Sequence, residues 1–304
     1  MIKYFPFNEK FDLKMGTSVL SADLPFIECD ESYEREVLLK RNLLTEDHEY
    51  YFKANENTQQ AQWEVVEKVL TTLAAHDCDH FVLERNDNQW RWENKILGEQ
   101  YTFTFGDSIT LPLQPLDWVG RQIQEDLILL NKESILVAGQ LCFPSGWSLE
   151  EKINRHFLDI HGPLPTLLNP MIQTAGNFIE RIPINKTIIR NNWGFRVSNQ
   201  LDLSSKHSPA YRIQLEAASK LDPTTIGERV YLRVEHQTLS RLPISGCILF
   251  TIHTYQSLLA EEAKDPTRMR TLSSFLKAIP TELLEYKLMT PFAEPLMAYA
   301  DQHQ

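Results

Sequence analysis

Residues 229–255 read RVYLRVEHQTLSRLPISGCILFTIHTY, and this stretch decides the fold class. Apolar and polar side chains alternate in both halves, with Val230, Leu232 and Val234 on one face of the first half. Alternation with a period of two is typical of a β-strand. The loop SRLPIS between the halves is short enough to join an antiparallel pair. Together with the elements predicted elsewhere, this pair favours an α+β fold over a doubly wound parallel sheet.

The rest of the chain predicts short helices interleaved with strands. The predicted helices are residues 58–75, residues 118–131 with Asp117 as N-cap, a short helix opened by the capping box of Ser148 and Glu151, residues 168–182, and helices from about 257 onward. The predicted strands are the hairpin FVLER and QWRWEN around NDNQ, the doubly buried ILVAGQLCF (135–143), and residues 187–197. We expect an N-terminal extension, residues 1–115, that packs on a core, residues 116–304, as one compact unit.

Composition and charge argue against several classes of protein. The chain has 304 residues, a formal net charge of −11 and four cysteines without metal-type spacing. An acidic chain without a basic, aromatic-rich stretch is not expected to bind nucleic acid. We recognise no signal peptide and no apolar run of the roughly 18 residues that a membrane span needs. A cytoplasmic protein with reduced cysteines and no membrane partner is therefore expected.

The common local fingerprints of enzymes are absent from the sequence. It contains no GxGxxG, Walker A, GxSxG or HExxH pattern, which leaves the familiar nucleotide-binding, serine-hydrolase and zinc-protease classes without support. The string HDCDH from His76 to His80 could converge on a metal ion if it were extended. Its place at a predicted helix end favours a solvated turn instead.

Ionisable side chains within residues 229–255 are candidates for a ligand site. They are Arg233, Glu235, His236 and His253, accompanied by Tyr231 and Tyr255. An antiparallel pair with one solvated face would give the same alternation. The tyrosines favour instead a cavity in which a few polar groups converge, because small-ligand sites are usually built in this way.

Two histidines with different surroundings lie in LCFPSGWSLEEKINRHFLDIHGPLP, residues 141–165. His156 is expected to be an exposed, structural imidazole near a helix C-terminus. His161 follows Ile160 and precedes a Gly-Pro pair, which restricts the backbone and could aim the ring inward. From these residues alone, a satisfied core histidine and a metal or haem ligand both stay open for His161.

Several short motifs follow one another along nearly the whole chain. They are PFNEKFDL (6–13), LDWVGRQIQEDLILL (116–130), LCFPSGWSLEEKI (141–153), IHGPLP (160–165), NNW (191–193), RVEHQTLSRLPISGCILFTIHTY (233–255) and EYKLM (285–289). Taken in this order, they resemble the haem-dependent oxidative N-demethylase alpha-subunit family. The resemblance implies a PAS-like fold that binds haem b through a proximal histidine. It also implies oxidation of a small secondary amine such as dimethylamine, with O2 as oxidant and release of formaldehyde.

The resemblance further implies companion subunits. Electrons from NADPH would arrive through a separate reductase, and flavin, an iron–sulfur cluster and a tetrahydrofolate site would lie on partner subunits. This division fits the present chain, because it has neither a Rossmann fingerprint nor clustered cysteines. The chain could not draw electrons from NADPH alone.

The family's site residues carry over by position. The IHxPxP element places the proximal histidine, and with it the iron ligand, at His161, whereas the pattern asks for none at His156. Arg190 and Arg233 are the cationic side chains that could neutralise haem propionates.

On the open side of the haem, an ammonium substrate needs an acceptor. Glu235 is the candidate for both substrate binding and catalysis, because a carboxylate in a low-dielectric pocket holds the cation and tunes its proton. Asn192 is a further candidate for substrate binding, and Tyr255 is a further candidate for catalysis.

One strand element departs from the family pattern. ERQTL reads EHQTL here, with His236 in place of arginine. The replacement could weaken a propionate contact or change the polarity of the pocket, so the substrate stays open. A haem-binding gas or redox sensor is the alternative function, and a scaffold that has lost haem is a third. The enzyme is favoured because no output domain or coiled-coil linker is recognisable and the His161 element is intact.

Overall fold

The computed structural model describes residues 1–12, 16–160, 165 and 168–304. Strands in this part of the chain form one seven-stranded and one three-stranded sheet, and all of the pairings are antiparallel. The strands are β1 (Ser18–Val19), β2 (Phe52–Ala54), β3 (Phe81–Asn86), β4 (Gln89–Asn94), β5 (Glu99–Thr104), β6 (Asp126–Leu130), β7 (Leu136–Gln140), β8 (Thr187–Arg196), β9 (Tyr231–Arg241) and β10 (Ile248–Leu258).

Helices surround both sheets. They are α1 (Tyr33–Glu46), α2 (His48–Tyr51), α3 (Gln59–His76), α4 (Pro115–Gly120), α5 (Leu149–Lys152), α6 (Phe157–Ile160), α7 (Asn169–Ile179), α8 (Ser208–Ala218), α9 (Leu259–Glu262), α10 (Pro266–Ala278), α11 (Thr281–Tyr286) and α12 (Ala293–Gln302). None of these described helices is long and apolar enough to span a bilayer. With the antiparallel sheets, they confirm the predicted α+β class.

The seven-stranded sheet has the order β1-β8-β9-β10-β6-β7-β2. The predicted pair at its centre is confirmed, since β9 and β10 run antiparallel from Tyr231 opposite Leu258 to Arg241 opposite Ile248. Eight of the eleven side chains of β9 are buried, on both faces of the strand. The alternative of one solvated face is therefore wrong.

Several local predictions are confirmed. Helix α3 matches the periodic stretch 58–75, β3 and β4 form the predicted hairpin, and all five residues of β7 are buried. The capping box of Ser148 and Glu151 opens α5. The string from His76 to His80 lies at the end of α3, the position predicted from the sequence.

The helix predicted over residues 118–131 is wrong. Helix α4 starts earlier, at Pro115, and ends at Gly120, while Asp126–Leu130 forms the central strand β6 with every residue buried. A continuous apolar run fits both a helical face and a strand buried on both sides, so its period cannot decide between them. Pairing with β10 and β7 decides for the strand.

The two faces of the large sheet pack against different elements. One face carries Ile188 and Leu239, which pack with Ile179 of α7; we call it the α7 face. The opposite face carries Val234, which packs with Phe275 of α10; we call it the α10 face. Because side chains alternate along a strand, a residue's position in β8, β9 or β10 fixes the face on which it lies.

Candidate active site

Four of the residues predicted for the site lie together on the α7 face. Arg190 and Asn192 alternate along β8, and Arg233 and Glu235 alternate along β9. The register places Asn192 directly opposite Glu235. Directly opposed residues of an antiparallel pair share a face, so the four side chains project to the same side of the sheet.

Glu235 lies at the centre of this group, and amide groups hold its carboxylate. Its Oε2 accepts hydrogen bonds from Asn192 Nδ2 at 3.1 Å and from Gln237 Nε2 at 3.0 Å. Its Oε1 lies 4.0 Å from Arg233 Nε, and the side chain remains 13% exposed. A carboxylate that is fixed in this way and still accessible can bind a cation or accept a proton.

Arg233 is held by the backbone. Its guanidinium donates to Leu201 O at 3.0 Å and to Phe143 O at 2.6 Å, and the side chain is only 2% exposed. Burial lowers the pKa of Arg233 to about 10, and the charge of Glu235 opposes this shift. Arg233 therefore joins β9 to two loops and offsets the charge of Glu235, and its terminal nitrogens are already occupied, although its Nε has no acceptor among the described residues.

Arg190 differs in its hydrogen bonding. Its buried Nε has no acceptor among the described residues, as is also true of Arg233 Nε, but Arg190 lacks the carbonyl acceptors that hold the terminal nitrogens of Arg233. Burial lowers the pKa of Arg190, although Glu235 opposes the shift. A buried donor without an acceptor is costly, which makes Arg190 the side chain of this group best suited to an external anion.

Lys287 is a site residue that the sequence-based interpretation missed. Its Nζ donates to Trp193 O at 2.6 Å, lies 4.1 Å from the centroid of the Trp193 ring, and is 3.5 Å from Asn192 Oδ1. Burial, together with the nearby charge of Arg196, lowers the pKa of Lys287 to about 7. Lys287 can therefore exchange a proton near neutral pH, beside the amide that contacts Glu235.

The end of α11 positions Lys287. Leu288 adopts a left-handed conformation with φ of 58°. The N–H of Met289 donates to Leu284 O at 2.8 Å, and that of Leu288 donates to Glu285 O at 2.9 Å, which is a Schellman ending. Glycine usually occupies the position of Leu288, so the EYKLM motif gives no sequence signal of this turn.

Tyr255 lies on the α10 face, away from Glu235. Its hydroxyl donates to Glu28, which also accepts from Tyr4. Its ring stacks on His253 with centroids 4.2 Å apart. The expected convergence of Tyr255 with Glu235 is therefore not observed, because Tyr255 is directly opposite Val234 in the register, and Val234 belongs to the other face.

His236, the departure from ERQTL, also lies on the α10 face. It stacks on Tyr4 with ring centroids 4.1 Å apart, and its Nδ1 lies 2.8 Å from Asn191 Oδ1. Burial lowers its pKa. The substitution therefore changes the contacts of the N-terminal segment, on the opposite side of the sheet from Arg190 and Glu235.

The prediction for His156 needs a correction. His156 is half-buried at the start of α6, not exposed at the end of α5, and its Nδ1 accepts from Leu158 N–H at 3.2 Å. An imidazole nitrogen thus takes the place of the usual N-cap oxygen. The structural role expected for His156 fits this contact.

His161 lies outside the described residues. The helices that precede and follow it in the chain, α6 and α7, are described. Ile160 of α6 and Ile179 of α7 pack in the apolar cluster of the α7 face. A Cβ atom on Gly176 of α7 would lie 3.1 Å from Leu158 Cδ2 of α6, so the two helices pack closely. Both helices that flank His161 therefore lie at the face that carries Arg190 and Glu235.

Comparison with known families agrees with the motif set. Residues 22–297 match the model of the family described as haem-dependent oxidative N-demethylase, alpha subunit-like. This family is named for haem dependence and for an oxidoreductase activity, and an alpha subunit implies other subunits. Because the match covers most of the 304 residues, the chain belongs to the haem-dependent oxidative N-demethylase alpha-subunit-like family.

Proposed function

We propose that the chain is the haem-bearing, oxygen-activating subunit of an enzyme that N-demethylates a small secondary amine of the dimethylamine type. One methyl group leaves as formaldehyde with one atom of O2, the other oxygen atom leaves as water, and methylamine remains. NADPH supplies the electron pair through a separate reductase, and flavin, iron–sulfur and tetrahydrofolate sites lie on partner subunits. The observation that carries this proposal is the unsatisfied Arg190 beside the accessible carboxylate of Glu235 on one face.

The residues of the α7 face fit a haem. Buried Nε of Arg190 has no acceptor among the described residues and suits a propionate. The second propionate anchor expected from the sequence, Arg233, already donates to two carbonyls, so Arg190 is the preferred anchor. His161 is the proposed ligand of the iron, on the segment between α6 and α7. Haem, when bound there, supplies the oxygen activation that side chains cannot.

A PAS-like unit is part of this proposal. Strands β6 to β10 have the spatial order β7-β6-β10-β9-β8, and α5, α6 and α7 lie between β7 and β8 in the chain. We assign these strands and helices to the PAS-like core that the family resemblance implies. The helices cover the α7 face, where a planar apolar cofactor would need a wall on its second side.

The side chains around Glu235 have separate tasks in the proposed reaction. Glu235 binds the ammonium form of the amine through its carboxylate, while Asn192 and Gln237 fix the orientation of that carboxylate. Lys287, with a pKa of about 7, is placed to exchange a proton next to Asn192. Tyr255 has no role in the proposed reaction, because its hydroxyl donates a hydrogen bond to Glu28 on the opposite face of the sheet.

Turnover with purified protein tests the proposal. The haem-loaded protein, supplied with NADPH and a flavoprotein reductase, should release formaldehyde in proportion to added dimethylamine. Glu235→Gln should retain haem and lose most of the spectral response to dimethylamine, because an amide preserves the shape but not the charge. Haem that binds diatomic gases without amine-dependent formaldehyde release would favour the sensor. Identical amine titrations of Glu235→Gln and the parent would remove Glu235 from the site.

A further inference from the structure

A cavity lies on the other side of the large sheet from Glu235. Its volume is about 260 Å³, and it lies between the segment that begins at β1, the C-terminal half of α3 and the start of β8. It is lined by Val19, Leu20, Ser21, Ala22, Leu24, Pro25, Phe26, Lys68, Thr72, His76, Asn185, Lys186 and Thr187. The described lining thus includes three basic side chains and no carboxylate, although the whole chain carries a formal net charge of −11.

Helix α3 contributes a polar stripe to this cavity. Lys68, Thr72 and His76 are spaced four residues apart, so they lie along one side of the helix. Lys186 and Asn185 approach from the start of β8. Cations, hydroxyls and an amide from three elements therefore surround one space, which is the set of donors that a tetrahedral oxyanion accepts from.

Lys68 is the most constrained of the cations. It is half-buried, and its Nζ lies 4.4 Å from the centroid of the Phe26 ring. Its neighbour one turn earlier, Glu64, accepts the N–H groups of Ile244 and Ser245 at 2.7 and 2.9 Å instead of pairing with it. Burial lowers the pKa of Lys68, and no carboxylate in the described residues offsets that shift. Among the described residues, this desolvated cation therefore has no counter-charge.

Further charged side chains lie next to the lining or at its rim. Asp23, which is exposed, accepts a hydrogen bond from the hydroxyl of Ser21. Lys186 and His76 are exposed at the rim. Leu24 and Phe26 add apolar side chains to the lining, and the organic part of a ligand would lie beside them.

We propose that this cavity binds a small organic phosphate monoester, with the phosphate between Lys68 and Lys186 and the organic part against Leu24 and Phe26. A phosphate monoester carries nearly two negative charges at neutral pH, which matches two lysines. The cavity lies across the sheet from Arg190 and Glu235, so it is a separate site and is independent of the proposed demethylation.

Calorimetric titration of the full chain with phenyl phosphate at constant ionic strength tests the proposal. We expect saturable binding, competition by inorganic phosphate, and weaker binding of phenylacetate. Lys68→Met keeps the unbranched stem and should weaken phenyl phosphate by about tenfold or more, because a charge-assisted hydrogen bond is lost. Lys186→Met should weaken the binding of phenyl phosphate as well. Because Lys186 is exposed, its substitution should leave the fold intact, so misfolding would not explain the loss.

The matched control is Lys220→Met, since Lys220 is exposed and does not line the cavity. It should leave the affinity unchanged. Failure of the parent protein to bind phenyl phosphate would overturn the proposal, as would equal affinities for the parent, Lys68→Met and Lys186→Met. Tighter binding of phenylacetate than of phenyl phosphate would overturn the assignment to phosphate esters.

Discussion

Arg190 and Arg233 are the same residue type on the same face, and their surroundings give them different roles. The buried Nε atoms of both arginines lack an acceptor among the described residues. The terminal nitrogens of Arg233, however, donate to the carbonyls of Phe143 and Leu201, whereas Arg190 makes no hydrogen bond of this kind to a described residue. A satisfied buried guanidinium stabilises the fold, and an unsatisfied one is a cost that an anionic ligand can remove. At the scale of single residues, we therefore propose Arg190 as the anion anchor of this face.

Substitution of the two arginines should separate these roles. Arg190→Gln should weaken haem binding by about tenfold, because one charge-assisted bond to a propionate is lost, and it should leave the melting temperature nearly unchanged. Arg233→Met should instead destabilise the protein by roughly 2 kcal/mol or more, because two buried carbonyls lose their donor. Hemin titrations and thermal denaturation measure the two effects. If Arg233→Met weakened haem binding and Arg190→Gln lowered stability, the roles of the two arginines would be exchanged.

At the scale of elements, sequence patterns correctly predicted the helices and strands that local interactions determine. The hairpin of β3 and β4, helix α3 and the pair of β9 and β10 follow from alternation, turn residues and helical spacing. Strand β6 could not be predicted in this way. Its five buried residues form a strand because they pair with β10 on one side and β7 on the other. Pairing partners that are distant in sequence outweigh local periodicity there.

Strand β10 also carries a buried ion pair with a pH-dependent contribution. His253 Nδ1 lies 3.0 Å from Glu125 Oε1, and Nε2 lies 3.7 Å from Asp30 Oδ2. Burial alone would lower the pKa of His253, but the two carboxylates outweigh it and raise the pKa to about 10 from an ordinary 6.5. A raised pKa in the folded state means that the contribution is complete below pH 6.5 and disappears as the pH rises to about 10.

His253→Gln should therefore flatten the alkaline loss of stability. At neutral pH it should cost about 3–5 kcal/mol, because Glu125 and Asp30 lose a buried cationic partner. Urea unfolding at pH 6, 8 and 10 should show the parent losing more stability across this range than the variant. Parallel pH profiles for the two proteins would show that His253 is neutral in the folded state.

At the scale of the whole molecule, the N-terminal part completes the large sheet. Strand β1 pairs with β8, and β2 pairs with β7, so the residues before 116 supply both edge strands. Phe7 is buried and packs against Trp193, Phe195 and Phe275. These contacts favour one cooperative unit and not an extension that could be removed from a core.

A fragment spanning residues 116–304 should fail to fold cooperatively. It would expose two strand edges and the apolar surface that Phe7 and α3 cover, and both changes favour aggregation. Size-exclusion chromatography and circular dichroism of the fragment, compared with the full chain, provide the measurement. A monomeric fragment with a sharp thermal transition would establish an independent core.

The candidate site was only partly accessible from the sequence. Alternation along β9 groups Arg233 with Glu235, because strand geometry fixes which residues share a face. The register between β8 and β9 is what brings Arg190 and Asn192 to that face. Lys287 was not predictable, since the left-handed turn that positions it has no glycine to mark it. Tyr255 was grouped with Glu235 because the register between β9 and β10 cannot be read from either strand alone.

Hemin titration followed at the Soret band tests most directly the proposed binding of haem at the α7 face with His161 as the iron ligand. Parent protein should bind about one haem per chain with a sharp Soret band. His161→Ala should bind haem much more weakly and with a shifted band, because the bond from imidazole to iron is lost. His156→Ala, which removes only a cap of α6 and costs about 1 kcal/mol of stability, should match the parent. An unchanged affinity and spectrum in His161→Ala would contradict the claim.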